Sequence, residues 1–475
     1  MSEQATERLV VIGGGMAAVR FVEELVARSY TGSVTVLADE QHAPYNRILL
    51  SAVLEGTHSV DAITLRSAQW FAERGVDLRL GARVLEVDRD AGEVMLVDGT
   101  RLGFERLVLA TGSIPTLPPI RGLVRFDGSL HPKVHAFRSL ADCRGLDEAA
   151  GAGARAVVVG GGLLGLQVAR ALSIRGLHTE VVEGAEHLLA SQLGEPGGRV
   201  LARDLRRLGT EVYTGARAIR MTDEGVRLDT GYELSADLVV LTAGGRPSTA
   251  LARRAGLMVR RGVVVDSSLR SVTDDRIHAI GDCAEHRRRV TGFVPPAWEQ
   301  AVVLADVLTG GIARYDGSRS VARLRATDLE VAVLGDPERA TGEIVEMTNP
   351  IAGSHRRLVV EGGVIVAAAL VGDLSRVGLI TQLYDRGTVL GPDEPGQLLL
   401  GEPASQPVVL PDEAEVCACA GVSAGAIRAC ASLADCRETT RATTGCGGCE
   451  SVVRSLLPAE SALAGARVGP GASPS

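Results

Sequence analysis

At 475 residues the chain is long enough for about three domains, each able to bury a core of its own. Hydrophobic residues make up 45% and charged residues 23%, which excludes a disordered or low-complexity protein. A net charge of −8 with 3% aromatics also excludes a nucleic-acid partner gripped by basic stripes and stacked bases. Charge interrupts every long apolar stretch before about 18 residues, so neither a membrane span nor a membrane partner is predicted. Met1–Arg8 is polar and acidic, unlike a secretory leader, and the expected location is cytoplasmic.

In chain order, the first feature is half of an internal repeat. Residues 9–25 and 156–172 match almost position for position: a buried apolar strand, a glycine turn, then a helix with apolar residues at i, i+3 and i+4. Each copy carries a second strand ending in an acid, Ser33–Ala38 before Asp39 and Thr179–Glu183. Each also carries a third, Arg106–Ser113 and Asp237–Gly244. The first copy resumes at Ile277–Asp282, so the second is inserted into it. The predicted fold class is therefore α/β, with two Rossmann-like dinucleotide-binding domains: residues 1–118 with 247–312, and residues 119–246. Alternating stretches such as Leu329–Leu334 and Val364–Val371 predict a small α+β domain over 313–390. Residues 391–415, with Pro392, Pro395, Pro403, Pro407 and Pro411, read as a linker. A small helical cysteine domain is expected over 416–457, and a disordered tail over 458–475.

Gly13-x-Gly15-x-x-Ala18 sits where a strand meets a helix. The first glycine permits the tight turn, the second lets a pyrophosphate approach the backbone, and the small third residue lets helix and strand pack closely. The helix N-terminus supplies free N–H groups to the phosphates, and the Asp39 carboxylate is placed to accept hydrogen bonds from a ribose diol. Gly160-x-Gly162-x-x-Gly165, with Leu163 and Leu164 opening its helix, repeats this logic. Its acid, Glu183, favours the free 2′-hydroxyl of NADH over the 2′-phosphate of NADPH, and residues 184–187 contain no arginine to receive that phosphate. Gly244 closes the expected NADH site.

These paired motifs, with Ile280-Gly-Asp282, resemble the flavoprotein reductases that have two dinucleotide-binding domains. Within that group, Pro44-Tyr-Asn-Arg-Ile-Leu-Leu-Ser51 resembles a segment of the ferredoxin- and rubredoxin-reductase relatives. The resemblance implies that Gly13, Gly15, Ala18, Asp39, Arg47, Val84, Thr111, Gly112 and Asp282 hold FAD. Asp282 would take the ribityl chain, and Arg47 would lie near the isoalloxazine. No Cys-x4-Cys pair follows the first glycine turn, so no redox disulfide is expected beside the flavin. No side chain is assigned a catalytic role beyond the flavin itself. Relatives carry Lys and Glu where this chain has Ala52 and Gln167; the paired loss leaves neither charge buried alone.

Six of the eight cysteines fall between Cys417 and Cys449. Cys417-x-Cys419 and Cys446-x-x-Cys449 supply two close thiolate pairs, the requirement of a [2Fe–2S] cluster, while four cysteines also suit zinc. The x1 spacing of the first pair favours iron–sulfur. Cys430 and Cys436 read as small buried hydrophobes. The module resembles the bacterioferritin-associated-ferredoxin-like [2Fe–2S] domain. The whole order of domains resembles the amino-terminal half of NADH-dependent nitrite reductase large subunits, and the electron-transfer subunits of assimilatory nitrate reductases. That resemblance implies an NADH-oxidising flavoprotein passing electrons through FAD and [2Fe–2S] to a separate terminal reductase, with a molybdopterin nitrate reductase subunit as the expected partner. The alternatives are a reductase of a ferredoxin, of a rubredoxin or of a nitrite reductase partner, and, in another class, a redox- or iron-sensing protein.

Overall fold

The computed structural model describes residues 7–151, 153–400, 410–417, 420–445, 447 and 449–458. They belong to two compact units, Met1–Gly401 and Glu402–Ser475.

The first unit contains two five-stranded parallel sheets with one strand plan. In the first, Arg8–Ile12 lies between Ser33–Leu37 and Arg106–Leu109, with Val76–Arg79 and Ile277–Ala279 on the two edges. In the second, Arg155–Val159 lies between His178–Glu183 and Leu238–Leu241, with Thr210–Thr214 and Val134–Ala136 outermost. The apolar runs behave as strands covered on both faces require: Val11, Val157 and Val158 are fully buried. The strand order switches sides at each central strand, which opens a crevice at the carboxyl ends of the strands.

Ile277–Ala279 returns to pair with Arg106–Leu109 only after the whole second sheet has been completed. The second dinucleotide fold is thus inserted within the first. A ribbon of Ser113–Pro115 against Gly245–Pro247 ties the two crossings together. The repeat also extends further than the glycine turns: each copy carries a three-stranded antiparallel meander, Val84–Asp88 to Arg101–Gly103 and Ala218–Met221 to Glu233–Ser235.

After the helix Val294–Leu308, the chain forms an antiparallel sheet whose strands lie in the order Val321–Ala326, Leu329–Leu334, Val364–Val371, Ser354–Glu361, Glu343–Asn349. The start of the expected linker is not extended. Glu394–Leu399 is a helix with Pro395 in its first turn, where proline lacks no needed donor. Leu398 and Leu399 are buried against the core of this small sheet. Buried Arg356 anchors that helix by donating to the Leu399 carbonyl, and it also pairs with Asp373. The first compact unit therefore runs on to Gly401, past the start of the expected linker at 391. Residues 401–409, and the expected tail from 459 onward, lie outside the described residues.

The second unit has short helices, Ala424–Arg428, Leu433–Thr439 and Glu450–Leu456, and a strand pair, Glu415–Cys417 with Val422–Ser423. Its core includes Cys417, Ile427, Cys430, Cys436, Cys449 and Val453. No described helix of the chain is long and apolar enough to cross a membrane.

Arg356→Ala should release the helix Glu394–Leu399, because it removes a buried cation and two of its acceptors' partners. The expected cost is on the order of 3 kcal/mol. It should be read as a lowered Tm and as new proteolytic cleavage at 394–400.

Candidate functional site

The first site forms where three parallel strands end. Gly13 donates to the Leu37 carbonyl at 2.8 Å, and its φ is +120°. A Cβ there would stand 2.2 Å from the Ala110 carbonyl oxygen, immediately before Thr111. Gly14 is equally confined, since its Cβ would meet the Ala38 Cβ at 2.7 Å beside Asp39. Gly15 is different. It caps the helix Met16–Ala27, and a Cβ on it would meet nothing within 4 Å. Open space thus lies directly before a helix end whose first N–H groups have no intrahelical acceptor, the geometry a pyrophosphate requires. Buried Ala18 follows one turn later. Asp39 is exposed at the end of its strand. Val84 begins the meander two residues after Ala82, which donates to the Ala38 carbonyl at 2.8 Å.

The second site repeats this construction. Gly160, with φ +119°, would place a Cβ 2.7 Å from the Thr242 carbonyl oxygen. Gly162 caps the helix Leu163–Ile174 and again faces open space, with Leu163 and Leu164 half-buried in the first turn. At Gly165 a Cβ would fall 1.9 Å from the Gly160 carbonyl oxygen, so this helix packs on its turn more tightly than any side chain allows. Glu183 is held by two backbone donors, Gly161 N–H at 2.6 Å and Ala185 N–H at 2.8 Å. Gly244, with φ +89°, is exposed past the end of Leu238–Leu241.

Between the crossings runs a polar network that the motifs did not reveal. Asp282 accepts hydrogen bonds from the Ser113 hydroxyl at 2.6 Å and from Arg138 Nη2 at 2.9 Å. Arg138 Nε donates to the Ser113 carbonyl at 3.1 Å. The turn carrying Asp282 is fixed by buried Gln300, which accepts from Gly281 N–H at 2.7 Å. Arg47 pairs with Glu40, donates to the Tyr45 hydroxyl at 3.2 Å and to the Arg138 carbonyl at 3.1 Å, and lies over the Tyr45 ring. Tyr45 donates to Glu40 at 2.7 Å and accepts from Leu140 N–H at 2.8 Å; burial holds its phenol above the usual range. Thr111 and Gly112 bind the Ser248 backbone. The structure therefore gathers Gly13, Gly15, Thr111 and Gly112 at one strand-end crevice. It gives Arg47 and Asp282 partners, Glu40, Tyr45, Ser113 and Arg138, that no local spacing signals. Trp298 is buried with its Nε1 unpartnered and Arg20 over its ring.

Two helix-capped glycine cradles in tandem define a protein that handles two dinucleotides. The chain belongs to the pyridine nucleotide-disulphide oxidoreductase family, whose description matches residues 7–301. It is 32% identical, over 97% of its length, to the Nitrite reductase (NADH) large subunit of Escherichia coli (strain K12), of which it covers 56%. It is 30% identical, over 95% of its length, to the Assimilatory nitrate reductase electron transfer subunit of Bacillus subtilis (strain 168), of which it covers 59%. The chain thus spans little more than half the length of these relatives. Among solved structures, the covalent putidaredoxin reductase–putidaredoxin complex superposes with a TM-score of 0.75 at 26% identity, covering 83% of this chain and 96% of that one. The family supports FAD and NADH as the dinucleotides.

The disulphide of the family's name has no counterpart in the matched region. Its two cysteines are buried apart, Cys143 donating to the Leu50 carbonyl and Cys283 to the Leu109 carbonyl. Burial raises both thiols, Cys143 to about 11. In the second unit Cys417 and Cys449 share one apolar core, while Cys419 and Cys446 lie outside the described residues. Among the described residues no group of three or more His, Cys, Asp or Glu is placed to hold a metal. Burial lifts the Cys436 thiol to about 11.

Gly13→Ala and Gly15→Ala should separate folding from binding. The first forces a side chain onto a backbone carbonyl at positive φ and should lower the Tm of the flavin-free protein. The second should leave that Tm within about 1 °C and weaken FAD by about tenfold or more, because it fills the cradle alone. Thermal melts and flavin absorbance per chain decide both.

Proposed function

We propose that this chain is an NADH-oxidising electron-transfer flavoprotein that feeds a separate terminal reductase through a [2Fe–2S] cluster of its own. The observation that carries the reading is the tandem of two dinucleotide cradles joined to a cysteine unit, in a chain with no cysteine pair beside the first cradle. FAD, once bound, would accept a hydride from NADH and release the electrons singly, as an iron–sulfur acceptor requires. The residues proposed for FAD are Gly13, Gly15, Ala18, Asp39, Arg47, Val84, Thr111, Gly112 and Asp282. Those proposed for NADH are Gly160, Gly162, Leu163, Leu164, Gly165, Glu183 and Gly244. Arg138 and Ser113 hold the Asp282 carboxylate in place, and Glu40 with Tyr45 fixes Arg47.

Cys417, Cys419, Cys446 and Cys449 are the proposed cluster ligands. The burial of Cys417 and Cys449 in one core supports a shared site, since thiolates at a cluster are shielded from water. A cluster held by reduced thiols also favours a cytoplasmic setting. The proposed electron acceptor is a molybdopterin nitrate reductase subunit. What supports this choice is the likeness to the Bacillus subtilis electron transfer subunit.

Anaerobically purified protein should contain about two irons per chain and a broad iron–sulfur absorbance beside the flavin bands. Stoichiometric zinc without iron would sink the cluster assignment. Truncation after Gly401, which spares the buried helix Glu394–Leu399, should keep NADH-dependent ferricyanide reduction and abolish partner-dependent nitrate reduction. A truncated, flavin-replete protein that drives the partner at full rate would show that electrons leave by another route.

A further inference from the structure

Local sequence shows no cation beside Glu183, yet the fold brings one there from a different strand. The loop that follows Thr210–Thr214 is laced along the end of His178–Glu183: Ala216 N–H donates to the Glu183 carbonyl at 3.1 Å, and Gly215 N–H to the Ala185 carbonyl at 2.7 Å. Arg217 ends that loop. Its backbone N–H is held by Asp229 at 2.9 Å, and its side chain lies across Gly184. A Cβ on Gly184 would stand 3.1 Å from both Cγ and Nε of Arg217. The Arg217 guanidinium is exposed and makes no hydrogen bond or ion pair with any described residue. Glu183, the acid next to it, already has each carboxylate oxygen bonded to a backbone N–H, which offsets part of its repulsion toward a second anion.

We propose that Arg217 is the receptor for the 2′-phosphate of NADPH, so that the second cradle accepts NADPH as well as NADH. The inference rests on the reading of residues 119–246 as a reduced-nicotinamide site. A strand-end acid binds the ribose edge in Rossmann folds. Gly184 adjoins that acid, and the missing side chain at Gly184 lets the arginine stem cross to the same edge. A guanidinium suits a phosphate because its fork of N–H donors meets two oxygens at once. The gain is electrostatic and exposed, so salt should screen it.

The test uses the full, flavin-loaded chain and two readouts. Calorimetric titration compares adenosine 2′,5′-bisphosphate with adenosine 5′-monophosphate, and anaerobic flavin reduction compares NADPH with NADH. The bisphosphate should bind more tightly than the monophosphate, and high ionic strength should erase the difference. Arg217→Gln should weaken the bisphosphate about tenfold and lower the NADPH-to-NADH ratio of kcat/KM by a similar factor, the scale of one charge-assisted contact. Arg217→Lys should restore part of the ratio. Gly184→Ala, which displaces the arginine without removing it, should lower the ratio in the same direction. If NADH reduces the flavin and Arg217→Gln moves neither the ratio nor the bisphosphate affinity, the role of Arg217 is refuted. If neither dinucleotide reduces the flavin, the nicotinamide reading falls and this proposal falls with it.

Discussion

A backbone carbonyl pressed against a glycine organises this molecule. At Gly13 and again at Gly160 the chain turns with positive φ so close to the neighbouring strand that a single carbon would overlap it, at 2.2 and 2.7 Å. Because the turn is that tight, the following helix starts directly over the strand ends, with its unpaired N–H groups aimed into the crevice. The open space at Gly15 and Gly162 is the complement of the crowding one or two residues earlier. Crowding sets the turn, and the space beyond it is left open at the helix N-terminus.

The insertion of one such unit into the other then shapes the polar site. Asp282 lies in a segment that reaches its sheet only after the second fold is complete, while Ser113 and Arg138 flank the point where the chain leaves the first fold. Their meeting closes the crossing: a carboxylate, a hydroxyl and a guanidinium share hydrogen bonds at the boundary of the two folds. Arg47 is tethered to the same boundary through the Arg138 carbonyl. A charge in such a place is positioned by several elements at once, which suits a group meant to hold a cofactor rather than to wander in solvent.

The small antiparallel domain is sealed by the helix Glu394–Leu399, and Arg356 shows why the proline-rich stretch starts out ordered. Proline in the first turn of a helix costs no hydrogen bond, and two leucines at its end supply the apolar anchor. Composition alone does not distinguish such a helix from a linker, since both use proline, glycine and acids.

The sequence by itself determined the duplicated α/β plan, the insertion, both glycine cradles, their strand-end acids and the clustering of cysteines. These are local facts: glycine spacing, apolar runs and an acid at a strand end are written within about thirty residues of one another. It did not disclose the two antiparallel meanders, whose strands are short and half exposed. Nor did it disclose the Glu40–Tyr45–Arg47 and Ser113–Arg138–Asp282 networks, or Arg217 beside Gly184. Ser113 and Asp282 lie 169 positions apart in the chain, while Glu40, Tyr45 and Arg47 lie within eight residues but meet across a turn, and in neither case does one partner carry a pattern that names the other. Only tertiary structure decided them, because a hydrogen bond depends on where two strands end in space, and that is settled by the packing of the sheets rather than by spacing along the chain.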